Sequence, residues 1–163
     1  VQETPSYCDP KLQPGSPHLT ELALALWRVG LGRPVTRRGQ DRFQMFTVHK
    51  GDAKRLVFDS RRPNQLFRRP PKFRLGSPRA LSELDLSDGA MDGDDICGLF
   101  GDVPCMFYRL RGPAGLAEWL WLEGLDFGDF ARRAIAEGAD PELFTGCDGF
   151  GFTGLPMGFS WAP

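Results

Sequence analysis

Histidine and tyrosine are scarce in these 163 residues, two of each, and cysteine occurs four times. The cysteines, Cys8, Cys97, Cys105 and Cys147, form no C-x-x-C pair, and His18 and His49 lie near none of the later three. That spacing argues against a zinc site built from clustered Cys and His. Reduced, mostly buried thiols in an intracellular protein are the expectation instead. No run of about 18 apolar residues occurs, so no membrane-spanning helix is expected. The opening VQETPSYCDPKLQPGSPH lacks the basic start and apolar stretch of a secretory leader. The chain therefore reads as intracellular, nuclear or cytoplasmic, and not secreted. It has no internal repeat and no low-complexity tract.

What is present is an ordinary globular composition, 41% hydrophobic and 25% charged, at a length suited to one domain or a large piece of one. The net charge of −1 hides a division. From Arg28 to Arg79 there are fifteen Lys or Arg against three acids, a balance of +12. From Ala80 to Pro163 there are four basic residues against fifteen acids, a balance of −11. One region suits a polyanion and the other suits metal ions or cationic partners. Charge alone fits two solvated faces of a mixed-charge protein equally well.

Along the chain, residues 1–17 read as an extended arm. PHLTELALALWRVG places Leu19, Leu22, Ala23, Leu26 and Trp27 on one helical stripe, stopped by Gly30 and Gly32. RFQMFTVHKGDAKRLVFDSR reads as a β-hairpin with a cationic tip around Gly51 and Asp52. The proline-rich RRPNQLFRRPPKFRLGSP is expected to be extended and basic. SPRALSELDL predicts a short helix with Ser77 as its cap and Pro78 at its first position. DGAMDGDD reads as an acidic loop. ICGLF reads as an apolar strand, broken at Gly101–Pro104 and followed by an apolar run that can start a helix. EWLWLEG alternates like a strand, DFARRAIAEG predicts a helix, and the Gly- and Phe-rich remainder predicts strand and turn.

Three stretches carry candidate chemistry. In RLVFDSRRPN, Arg55, Val57 and Asp59 share one strand face. Arg55 is placed to reach a phosphate, and Asp59 with Arg61 to hold the local shape by an ion pair. In GDVPCMFYRL, Asp102 ends an apolar strand, where a carboxylate can hold a divalent cation and the following N–H groups can meet phosphate. Read alone, it is a turn aspartate. In LPMGFSWAP, Gly158 allows close backbone approach, and Pro156 and Pro163 fix the turns.

Taken together, in this order and spacing, the three stretches resemble the fingers and palm of the reverse transcriptases of retroelements. Arg55, Asp59, Arg61 and Asn64 match the fingers signature Arg-x-x-x-Asp-x-Arg-x-x-Asn. Asp102 and Phe107 match the first palm motif, and Leu155, Pro156, Gly158 and Pro163 match the loop Leu-Pro-x-Gly-x-x-x-x-Pro. The resemblance runs from about Phe43 to Pro163. It departs from the family at Met157, where Gln is frequent, and at Pro104, Cys105 and Met106. No Tyr-x-Asp-Asp motif occurs, so the expectation is a chain that stops within the palm.

The resemblance implies an α+β chain with a partial right-hand polymerase fold, a fingers β-hairpin plus an incomplete palm sheet with helices. Its expected parts are an arm and helix over 1–40, basic fingers over 41–79, and the first half of the palm over 80–163. It implies addition of deoxynucleotides to a primer 3′-hydroxyl, directed by an RNA or DNA template, through two Mg²⁺ ions. Asp102 would bind both ions, with the remaining ligands missing, so this chain alone is expected to be inactive. Deoxynucleoside triphosphate would meet Lys50 (preferred over Lys54 for its place at the turn), Arg55, Val103, Cys105, Met106, Phe107, Met157 and Gly158. Phe107 would lie under the sugar and exclude a 2′-hydroxyl. Template phosphates would follow Arg61, Arg62, Arg68, Arg69, Lys72 and Arg74. Phe67 and Phe73 can stack on bases or serve packing. The alternative is a non-catalytic nucleic-acid-binding module derived from a retroelement, and a third is an unrelated basic scaffold.

Overall fold

The computed structural model describes residues 7–39, 44–72, 78–85, 87, 101–113 and 115–162. The chain divides into a larger unit, residues 1–69 with 105–163, and a second unit, residues 70–104. The architecture is α+β, with helices and two small antiparallel sheets.

In the larger unit, α1 spans Pro17–Arg28. Ser16 Oγ caps it by accepting the His18 N–H, and Pro17 fills the first position, where no donor is needed. Of the expected stripe, Leu19, Ala23 and Leu26 are buried, while Leu22 and Trp27 pack partly buried against the core. α1 runs into β1, Gly32–Val35, which pairs with β4, Gly149–Phe152, in the register Gly32↔Phe152 to Val35↔Gly149. A strand from the first forty residues is thus zipped to one near residue 150. The hairpin forms as expected: β2, Gln44–Lys50, pairs with β3, Ala53–Asp59, about a two-residue turn. Gly51 opens that turn at φ 60°, a left-handed value that a side chain would resist.

α2 is a single turn, Pro63–Leu66, where the prolines had suggested only extended chain. Pro63 sits at its first position, so the missing N–H costs nothing, and the Asn64 N–H reaches Ser60 O at 2.8 Å. α4, Met106–Arg109, follows Cys105 at φ 56°. α5, Phe127–Ala136, is capped by Asp126, which accepts the Asp129 N–H at 2.9 Å. Arg28–Glu137 at 2.5 Å and Arg133–Glu21 tie α5 to α1. In the second unit α3 covers Pro78–Ser82. Its proposed cap Ser77, Phe73, Arg74, the acidic loop and ICGLF lie outside the described residues.

Two further expectations change. EWLWLEG begins on the last residue of a 3₁₀ turn, Leu116–Glu118, and its Leu120–Leu122 lie along β4, with Leu122 N–H to Phe150 O at 2.9 Å and Phe152 N–H to Leu120 O at 2.8 Å. It forms only an isolated bridge, Trp121 with Gly151. Leu120, Trp121 and Leu122 are all buried, so the segment does not alternate between core and solvent as the sequence pattern suggested. The arm is not free either. Pro10–Leu12 forms a 3₁₀ turn, Asp9 N–H bonds Met45 O at 3.2 Å, and Tyr7 N–H bonds Asp59. The three described cysteines are thiols, but none is buried, against the expectation of mostly buried ones.

Leu24, Met45, Leu120, Phe130, Phe150 and Phe152 are the centre of the core, each at or near zero exposure. α1, α5, β4 and the hairpin contribute to that cluster together.

Candidate functional site

The register of the hairpin sorts its side chains. Residues paired across an antiparallel ladder share a face. Lys50, Val48 and Arg55 therefore lie on one face with Phe46, Val57 and Asp59, while His49 and Lys54 share the face of buried Met45 and Phe58. Lys50 and Arg55 are near diagonal neighbours at the tip, so both can address one anionic ligand. Lys54, also exposed, starts from the opposite face.

At the base of the same face Asp59 is buried and fully engaged. It accepts the Tyr7 N–H at 2.8 Å, the Arg61 N–H at 3.2 Å, and the Arg61 guanidinium at 2.9 Å and 2.7 Å. The Arg61 hydrogen bonds hold the Asp59 carboxyl below its ordinary range, against the opposing effect of burial. Arg61, half-exposed, is thereby committed to shaping the chain. A cleft of about 220 Å³ opens beside the pair, lined by Tyr7, Phe46, Phe58, Asp59, Ser60, Arg61 and Gly158. Tyr7 meets Phe46 edge-on at 4.9 Å there.

Because the folded carboxyl titrates below the unfolded value of about 3.9, its contribution is whole above that value and fades as pH falls through the folded pKa. Below about pH 4 the wild-type urea midpoint should drop more than that of Asp59→Asn. Parallel pH profiles would show that the ion pair contributes nothing.

Asn64 joins two stretches far apart in sequence. Its Nδ2 donates to Gly158 O at 2.8 Å, and its Oδ1 accepts the Ser160 N–H at 2.8 Å. Gly158, at φ 96°, gives the loop the left-handed turn that presents both groups. Trp161 adds an indole N–H to Arg68 O at 2.7 Å, and buried Phe159 meets Phe67 edge-on at 5.2 Å. Pro156 is buried, Met157 half-buried and Gly158 exposed. The Arg55–Asn64 stretch and the LPMG loop therefore form one structural piece. Asn64→Ala removes both reciprocal bonds and should cost about 1–2 kcal/mol, with faster proteolytic cleavage between residues 155 and 162. Unchanged cleavage would mean that the aromatic contacts hold the loop alone.

The stretch GDVPCMFYRL spans the boundary between the two units. Asp102 and Val103 are exposed and belong to the second unit. In the larger unit Cys105 and Met106 are exposed and Phe107 is half-buried. Tyr108 donates its hydroxyl to Leu56 O in β3. Burial pushes that hydroxyl's pKa up, with the Arg55 charge working against it. α4 is thus fastened to the hairpin by a residue that carried no signal in the sequence beyond its place after Phe107. Tyr7 was equally unmarked.

Among the template candidates Arg68, Arg69 and Lys72 are exposed, Arg62 is half-buried, and Arg74 lies outside the described residues. No group of three or more His, Cys, Asp or Glu gathers closely enough among the described residues to hold a metal ion. Asp102 offers one carboxylate, so these residues do not fit a two-metal centre, and no chemical step is derived through one. No helix of the described residues is long and apolar enough to cross a membrane. No family model, no curated protein and no solved structure matches this chain.

Proposed function

We propose that this chain is the fingers and first palm segment of an RNA-directed DNA polymerase of the reverse-transcriptase kind, and that by itself it binds template and primer without extending them. The observation that carries this reading is the reciprocal Asn64 contact with Gly158 and Ser160. Two stretches singled out independently by their residue patterns meet through a conformation that Gly158 alone accommodates easily. The common face of Lys50 and Arg55 supports the same reading, since the proposed triphosphate needs both cations on one side. In the complete enzyme Asp102 would serve as a magnesium ligand, and Phe107, Met157 and Gly158 would border the nucleotide. Among the described residues no group of metal-ligating side chains gathers with Asp102, which favours binding without catalysis.

The test is a labelled DNA primer on an RNA template, with Mg²⁺ and deoxynucleoside triphosphates. The chain should bind the hybrid at low salt and add no nucleotide. Arg68→Ala with Arg69→Ala should weaken binding by about 10-fold through lost phosphate contacts. Robust extension would show that no further carboxylates are required. Absence of binding would overturn the nucleic-acid reading as a whole.

A further inference from the structure

A second groove, of about 440 Å³, lies on the larger unit and shares no lining residue with the Asp59 cleft, and no part of the proposed nucleotide site uses it. Phe67, Leu116 and Trp119 give it an apolar floor, and Arg38 with Glu118 form its polar edge. Phe67 and Trp119 stand edge-to-face at 6.2 Å, both half-buried. Trp119 is braced by Gly39, where even a methyl group would come within 3.2 Å of the indole, and Gly39 adopts φ 69°. Arg38 and Glu118 are fixed on each other twice, by the ion pair at 2.5 Å and by the Arg38 N–H to Glu118 O at 2.7 Å.

We infer that this groove is a stacking site for a base of single-stranded nucleic acid, with Trp119 as the platform and Arg68 and Arg69 holding the flanking phosphates. The inference rests on the nucleic-acid reading above and names a contact for it. Every base offers a π-face, so an indole held from behind binds bases without reading sequence. The paired Arg38 and Glu118 set a donor and an acceptor side by side at the groove, suited to the polar edge of a flat heteroaromatic ring. Arg68 and Arg69 follow Phe67 directly in the chain. Both are exposed, and no described residue forms an ion pair with either. The Trp161 bond to Arg68 O fixes the backbone from which they project. An apolar peptide would use the floor but leave these cations idle.

The experiment titrates the full 163-residue chain with fluorescein-labelled oligo(dT) and with an abasic strand of the same length, which keeps the phosphates and removes the bases. Wild type should prefer oligo(dT) by about 10-fold, and Trp119→Ala should erase that preference while leaving the abasic affinity within about 2-fold. Trp119→Phe should keep most of it. Equal wild-type affinity for both strands overturns the stacking site and leaves the proposed function standing. Failure to bind either strand overturns both. Competition by oligoglutamate as strong as by oligo(dT) would assign the groove and its cations to an acidic peptide instead. If Trp119→Ala does not fold, Trp119→Leu is read in its place, and a preference for oligo(dT) that survives it overturns Trp119 as the platform.

Discussion

Phe130→Ala is expected to destabilise the larger unit by about 3–5 kcal/mol, a drop in melting temperature on the order of 10 °C. Phe130 has no exposed surface, and its ring lies 4.8 Å from Phe150, 6.0 Å from Phe127 and Phe144, and 6.5 Å from Trp27. Those partners come from α1, α5, β4 and the 3₁₀ turn Pro141–Phe144, so one truncation loosens four elements at once. The cost joins the lost transfer free energy of the ring to the cavity left among side chains that cannot collapse into it. The edge-to-face contacts add a smaller share. Thermal unfolding followed by far-UV circular dichroism measures it. A loss below about 1 kcal/mol would place the centre of the core elsewhere.

Raising salt from about 50 to about 200 mM should weaken binding of a single-stranded oligonucleotide by about 100-fold. Lys50, Lys54, Arg68, Arg69 and Lys72 are exposed and carry no ion pair to a described residue. Five neutralised phosphates on a single strand give a log–log slope of about −3.5 through counterion release. Arg61 is left out because Asp59 already neutralises it. The Arg68→Ala, Arg69→Ala variant should flatten the slope by about 1.4. A slope near zero in wild type would sink the basic stretch as a phosphate track. An unchanged slope in the variant would move the contact to other cations.

The elements with the strongest local patterns were legible from residue order. The α1 stripe, the helix expected in DFARRAIAEG, which starts two residues earlier as α5, and the hairpin around Gly51 each depend on neighbours a few residues apart, so periodicity and turn chemistry specify them. The Asp59–Arg61 pair was legible for the same reason, its partners being two residues apart. EWLWLEG misled because its neighbours are distant: burial on all sides beside β4 removes the alternation between water and core that its pattern implied. The proline-rich stretch misled at Pro63, where a residue that breaks most helices begins one.

By itself the amino-acid order determined α1, α5 and the hairpin, the division of charge, and the motifs at Arg55–Asn64 and Leu155–Gly158. Only the tertiary structure decided that Asn64 closes on Gly158 and Ser160, that Tyr108 fastens α4 to β3, that Tyr7 caps Asp59, and that Trp119 and Phe67 open onto one groove. Each of these joins residues that are 52 to 96 positions apart. The physical reason is that such contacts depend on where the burial of Phe130, Phe150 and their neighbours places whole elements, and a local pattern carries no record of that placement.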